Sequence, residues 1–217
     1  MSVDNQSHSS SDGVLLLRNE PVQARSTARL ASLLEAAAAV VDEVGYERLT
    51  TALVAERAGA SIGTVYRYFP DRIVVLQGLS ARFVSDSLDQ VSRIVREAEH
   101  VNWWEAFDAV LSDLVESFRD VPGFRSLRFG DVLDLGPDAV ASGVTTVAGA
   151  ISSGLAERFE LTDDDDLQFR LSVSLDIVDV LLSRAFADGA WDRDRLVAEA
   201  REIARNYLMG FYGDPRT

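Results

Sequence analysis

The chain has 217 residues, 47% of them hydrophobic, and a formal net charge of −14 from 35 acidic and 21 basic residues. That length suffices for one or two domains with a sizeable core, and the acidic balance argues against a general nucleic-acid binder. The absence of cysteine excludes disulfides, thiolate metal sites and cysteine nucleophiles and fits a cytoplasmic location; no apolar run approaches a membrane span and no secretory signal is visible.

Charge is unevenly spread. Residues 24–75 hold six Arg and six acidic residues, residues 76–217 hold 14 Arg and 26 acidic residues, and residues 1–23 hold one Arg and three acids. A neutral head on an acidic body can meet a polyanion only through a local patch. The plainer reading is an acidic surface that keeps the chain soluble.

Residues 1–13 are Ser-rich and polar, and Pro21 closes off the short apolar patch Val14 to Leu17. A disordered tail over 1–23 is expected. The first helix should span 24–44, because Leu30, Leu33, Leu34, Ala37, Val40, Val41 and Val44 follow the spacing of one buried face. Thr50 is then a good N-cap, with Leu53, Val54 and Ala58 on an apolar face behind it. Gly59 takes the chain out of that helix, and Ser61 caps the next, whose Ile62 and Val65 are expected to face inward. Two short helices about a glycine turn form a helix-turn-helix. The second carries Thr64, Tyr66, Arg67 and Tyr68, hydrogen-bonding side chains suited to phosphates and base edges.

The pattern Ala58, Gly59, Ser61, Gly63, Thr64, Val65, Tyr66, Tyr68, Phe69 resembles the DNA-binding end of the TetR family of transcriptional repressors, from about Gln23 to Leu79. The resemblance implies an all-α fold of about nine helices. A three-helix DNA-binding domain over 24–70 would be followed by an effector-binding and dimerisation domain over 71–213. It implies a DNA-contact set of Arg25, Arg29, Thr50, Thr51, Ser61, Ile62, Gly63, Thr64, Tyr66, Arg67, Tyr68 and Arg72. Arg67 is the candidate guanine reader, since its fork matches O6 and N7, although it serves a phosphate equally well. Gly63 either lets the helix approach the duplex or packs against the first helix. Where the family often has Lys, Arg72 stands.

The body reads as helices throughout. Asp71 caps one reaching about Glu99; Asn102 with Glu105 forms a capping box for 103–119. Pro122-Gly123 and Gly136-Pro137 bracket a short helix over 124–134, and another spans 138–159. Thr162 with Asp165 opens a helix over 165–187, and the last runs from 192 to 212. The 165–187 helix is apolar nearly all round and so needs partners on several sides. The resemblance assigns it and 193–211 to a homodimer interface. Its polar stripe, Gln168, Ser172, Asp176, Asp179 and Ser183, is either solvent-facing or puts Asp176 or Asp179 beside a cavity for a cationic ligand. Trp103, Trp104, Phe107, Phe118, Phe124, Phe129 and Trp191 are core or line an effector pocket. Gly143, Gly149 and Gly154 leave ligand room or allow close helix contact.

The expected function is a regulator released from a palindromic double-stranded DNA operator by a small-molecule effector, with no cofactor, metal or membrane partner. One rival is a helix-turn-helix regulator controlled by protein partners. The other is a helical enzyme using carboxylates, for which neither His8 nor His100 has an evident catalytic partner.

Overall fold

The computed structural model describes residues 12–97, 99–128, 143–187, 189 and 192–214, with side chains described from Gln23 onward. Among these residues the chain forms nine α-helices, one 3-10 turn and no strand, as the all-α expectation requires. The helices are α1 (Asp12–Val44), α2 (Thr51–Arg57), α3 (Ile62–Tyr68), α4 (Arg72–Arg96), α5 (Trp103–Asp120), α6 (Phe124–Leu127), α7 (Gly143–Phe159), α8 (Asp165–Ala185) and α9 (Arg193–Tyr212). The 3-10 turn, Tyr46–Arg48, joins α1 to α2.

Side-chain caps decide where most of these helices begin. Asp71 Oδ1 accepts from the backbone N–H of Ile73 at 2.7 Å and of Val74 at 3.0 Å, starting α4. Asn102 Oδ1 accepts from Glu105 N at 2.9 Å, while the Glu105 carboxylate reaches back to Val101 N at 3.0 Å. That is a capping box shifted by one residue at its return contact. Three boundaries differ from expectation. Helix α1 starts at Asp12, where a tail to residue 23 was expected. Leu15, Leu16 and Leu17 are strong helix formers, and Pro21 removes one N–H donor without ending the helix; residues 1–11 lie outside the described residues. Helix α4 ends at Arg96. The cap of α8 is Asp164, accepting from Leu167 N at 2.9 Å, in place of Thr162. Of the short helix expected over 124–134, Phe124–Leu127 is present and residues 129–134 lie outside the described residues.

One continuous core runs through head and body. In the head it holds Leu33, Ala37 and Val41 from α1, Val54 from α2, Val65 from α3, and Leu76 and Leu79 from α4, all fully buried. In the body, aromatic rings chain the helices together. Phe83 of α4 meets Phe124 of α6 at 5.3 Å between centroids, Phe124 meets Phe118 of α5 at 5.5 Å, and Phe118 meets Phe186 beyond α8 at 5.7 Å. Helix α7 lies close on α4: a Cβ at Gly154 would stand 2.8 Å from Val95 Cγ1. At Gly149 the close neighbour is Gln168 of α8, 3.3 Å away. These two small residues therefore serve close helix contact.

Head and body are linked by the length of α4 and meet again at the turn Pro122-Gly123. Gly123 has φ +75°, and a Cβ there would lie 2.9 Å from the Ala38 carbonyl oxygen of α1. Its N–H donates to Asp42 Oδ1 at 3.1 Å. Only glycine combines that left-handed backbone with so close an approach. Gly123→Ala should lower stability by about 2–3 kcal/mol and Tm by roughly 5–10 °C in a thermal melt. An unchanged Tm would show that this contact does not constrain the fold.

Candidate nucleic-acid interface

Helices α2 and α3 are held at their starts by hydroxyls. Thr50 Oγ1 accepts from Leu53 N at 3.2 Å. Ser61 Oγ accepts from Thr64 N at 3.1 Å and lies 2.9 Å from Thr64 Oγ1, so these two hydroxyls are partnered with each other. Between the helices Gly59 has φ +58°, the left-handed conformation that ends α2. Val65 and Phe69 are buried and fix the inward side of α3. Its outward side carries Ile62, Gly63, Tyr66 and Arg67, all exposed. Residues 62 and 66, and 63 and 67, are each four apart, so they form two adjacent rows on one face.

Ile62 was expected to face inward, yet it is 43% exposed beside Tyr66 at 52%. It is the first residue of α3, and Val65 and Phe69 already fill the inward side. Thr51, expected among the DNA contacts, is buried; as the first residue of α2 it lies against the core. Gly63 is open: a Cβ there would meet nothing nearer than Ser61 Oγ at 3.9 Å. It does not pack against α1, so of the two roles weighed for it the structure leaves room for close approach.

Beside α3 lies α1. Arg25, Arg29 and Ser32 look across an open groove of about 900 Å³ at Thr64, Arg67 and Tyr68. Tyr68 Oη sits 3.3 Å from Ser26 Oγ, bridging the two helices. Arg25, Arg29 and Arg67 have no ion-pair partner among the described residues. Arg72 is oriented by the Glu47 carbonyl, 2.7 Å from Nη1. By contrast Arg57 is spent on Glu43 of α1, and its hydrogen bond holds the Glu43 carboxyl below the ordinary carboxylate value. The head is neutral in sum, yet three cations without an ion pair among the described residues, Arg25, Arg29 and Arg67, gather on the α1–α3 side, with Arg48 apart from them at the head–body cavity. Ser26 and Ser32 escaped the sequence reading. Their signal was the face shared by Arg25, Ala28, Arg29 and Ser32, at helical spacing.

The body residues expected at an effector pocket fare differently. Trp103, Phe107 and Phe118 are buried, and Trp104 stacks edgewise on Trp103 and tilts against Phe107, each at 6.0 Å. Packed ring on ring, Trp103, Trp104 and Phe107 build core. Phe118 reaches the edge of an open cavity of about 460 Å³ at the head–body junction, with Asp42, Arg48 and Ser183. Phe129 and Trp191 lie outside the described residues. The polar stripe on α8 does not form one solvent face. Asp179 is buried, and the cation it needs is internal: Arg128 Nη1 donates to Asp179 Oδ2 at 2.8 Å and to Ser183 Oγ at 2.6 Å. Asp176 is exposed. Arg128 gave no sequence signal, because only the fold brings α6 beside α8. A second open groove of about 360 Å³ lies between α4 and α5, lined by Asp86, Asp89, Arg93 and Asp113. There burial, helped by Glu116 and opposed by Arg93, raises the Asp113 carboxyl above its ordinary value. Among the described residues no group of acidic or histidine side chains could hold a metal ion, and no helix is long and apolar enough to cross a membrane.

The open surroundings of Gly63 make its role testable. Gly63→Ala should fold at least as stably, since Ala is the better helix former by about 0.5–1 kcal/mol. It should weaken binding of a duplex on the order of tenfold by holding the backbone off. A variant with unchanged DNA affinity would place Gly63 away from the duplex.

Comparison with known proteins agrees with this geometry. A family model described as bacterial regulatory proteins, tetR family, matches residues 33–76, and one described as tetracyclin repressor-like, C-terminal domain, matches residues 101–212. The chain is 27% identical over 187 residues to the HTH-type transcriptional repressor KstR of Rhodococcus jostii, covering 82% of this chain and 81% of that protein. Over 74 residues it is 34% identical to the nucleoid occlusion factor SlmA of Alteromonas mediterranea, covering 34% of this chain and 37% of that one. Among solved structures, a TetR-family transcriptional regulator from Streptomyces coelicolor superposes with a TM-score of 0.67 at 31% identity, over 83% of this chain and 97% of that chain. FadR of Thermus thermophilus, solved with lauroyl-CoA, shares the fold at a TM-score of 0.59 and 21% identity, over 84% and 94% of the two chains. With its helix-turn-helix, its exposed α3 rows and both family domains in place, the chain belongs to the TetR family of DNA-binding transcriptional regulators, which are not enzymes.

Proposed function

We propose that the protein acts in the cytoplasm as a homodimeric repressor on a two-fold symmetric operator, and that a small molecule bound in the body releases it. The observation that carries the DNA-contact assignment is the exposed face of α3, with Arg67 on it and Arg25 and Arg29 of α1 beside it, none of the three having an ion-pair partner among the described residues. A phosphate strand entering the α1–α3 groove would be held by Arg25 and Arg29, with Thr50, Tyr66 and Arg72 as further anchors. Arg67 projects from the same face to read a guanine. The acidic body stays off the polyanion, so contact is confined to the head.

The dimer reading rests on α8 and α9. Phe169 and Val180 are more than half exposed and three turns apart on one face of α8, with half-buried Val173 and Ile177 and the exposed carboxylate of Asp176 between them. Phe211 of α9 is also exposed, its ring 3.8 Å from the Arg170 guanidinium. An apolar face of this kind on a soluble helix pair fits a second copy of the chain, and two recognition helices about one DNA turn apart suit a symmetric site. Ligand release is supported by the fold shared with lauroyl-CoA-bound FadR. The effector acts only through its different affinity for the DNA-competent and DNA-incompetent arrangements. A second reading, control by a protein partner, is favoured by the ring-on-ring closure of Trp103, Trp104 and Phe107. Thermal shifts across a small-molecule library separate the two, since a stabilising ligand supports the first.

Titration with duplex at two salt concentrations should give a steep fall of affinity with salt if phosphates dominate. Tyr66→Phe should cost about 1 kcal/mol on every sequence alike. Arg67→Ala should cost about 1–3 kcal/mol and relax base preference. Val180→Asp should give a monomer by sedimentation and abolish high-affinity operator binding. A protein that binds no duplex at any salt would end the regulator reading, and a Val180→Asp variant that remains dimeric would end the interface assignment.

A further inference from the structure

We infer that Ile62 is a specificity residue that reads the C5-methyl group of a thymine in each half-site, an inference that rests on the DNA-contact reading above. Ile62 opens α3, and the first residues of a recognition helix are the ones that reach base edges. Its side chain is 43% exposed, whereas Val65 one turn on is fully buried, so it serves the surface and not the core. It shares its row with Tyr66 and sits one residue from Arg67's row. Its neighbour Gly63 has no side chain, and a Cβ placed there would find nothing within 3.9 Å except Ser61 Oγ. The sec-butyl side chain of Ile62 therefore has open space beside it at Gly63.

Ile62 has no donor or acceptor beyond its backbone, so it cannot anchor a phosphate through its side chain or pair with a base edge. Among the groups displayed in the major groove, the thymine methyl is the apolar one. Contact between the two removes apolar surface from water on both partners. The hydroxyl expected to share base reading is less free than its residue type implied: Thr64 Oγ1 is already 2.9 Å from Ser61 Oγ. Sequence discrimination thus falls on Ile62 and Arg67, an apolar and a cationic reader on adjacent rows.

The test begins with full-length protein selecting bound duplexes from a random-sequence library. Each thymine of the recovered site is then replaced singly by deoxyuridine, which deletes only the methyl group. Fluorescence anisotropy at fixed salt should show one position per half-site where the replacement weakens wild-type binding about fourfold, the value of one buried methyl. Ile62→Ala should bind the thymine and deoxyuridine sites equally, and Ile62→Val should keep most of the difference. Both variants should melt like the wild type because the side chain is exposed. The inference is overturned if no thymine position shows a methyl effect, or if Ile62→Ala retains the effect in full. Those outcomes leave specific DNA binding intact; failure to recover any bound sequence would instead overturn the regulator reading, and this inference with it.

Discussion

Besides the continuous helix α4, which runs from head to body, the close contact of Gly123 with α1 ties the two parts of this protein together. Gly123 lies so close to α1 that its missing Cβ would overlap the Ala38 carbonyl, and its N–H is held by Asp42. Everything around that contact converges on the same joint. Phe124, the next residue, joins the ring series from Phe83 through Phe118 to Phe186. Four residues further, Arg128 ties α6 to Asp179 and Ser183 of α8. A four-residue helix thereby connects the DNA-binding head to the helix that carries the exposed apolar face. Interiors are close-packed and transmit strain, so a change in the α8 environment has a short path to α1.

Arg128 has φ 47°, an uncommon conformation for a residue with a side chain. Its guanidinium meets a buried carboxylate and a hydroxyl, so the surrounding contacts hold the backbone in place. Removing either charge alone would strand the other in the interior, the costly half of such a pair. This pair fills the place at which a cationic ligand was expected to find Asp179. The acidic residue there is structural, and open grooves lie beside α4 and at the head–body junction.

Electrostatics in the head follow from which cations are already occupied. Arg57 is committed to Glu43, Arg125 lies 3.5 Å from Asp42, and Arg72 is oriented by a carbonyl. Of the head arginines without an ion pair among the described residues, Arg48 lies at the head–body cavity, while Arg25, Arg29 and Arg67 border one groove between α1 and α3. A head with no net charge in its sequence therefore has a local positive patch, which a count of residues cannot reveal because it does not know which charges are paired.

The caps at Thr50, Ser61, Asp71 and Asn102 and the glycine turn at Gly59 were legible in the chain itself. Each depends on a side chain bonding a backbone N–H within three residues, a local interaction that needs no tertiary partner. Family membership was legible for the same reason, since the helix-turn-helix is built from closely spaced positions. Helical periodicity also gave the inward set of α1. Tertiary structure decided the rest. It turned Ile62 outward because Val65 and Phe69 fill the space beneath α3, and it buried Thr51. It gave Asp179 an internal partner in Arg128, 51 residues away in sequence, and it closed Trp103, Trp104 and Phe107 on one another. Spacing along a helix tells which residues share a face, but only the neighbouring elements determine whether that face meets core, water or DNA.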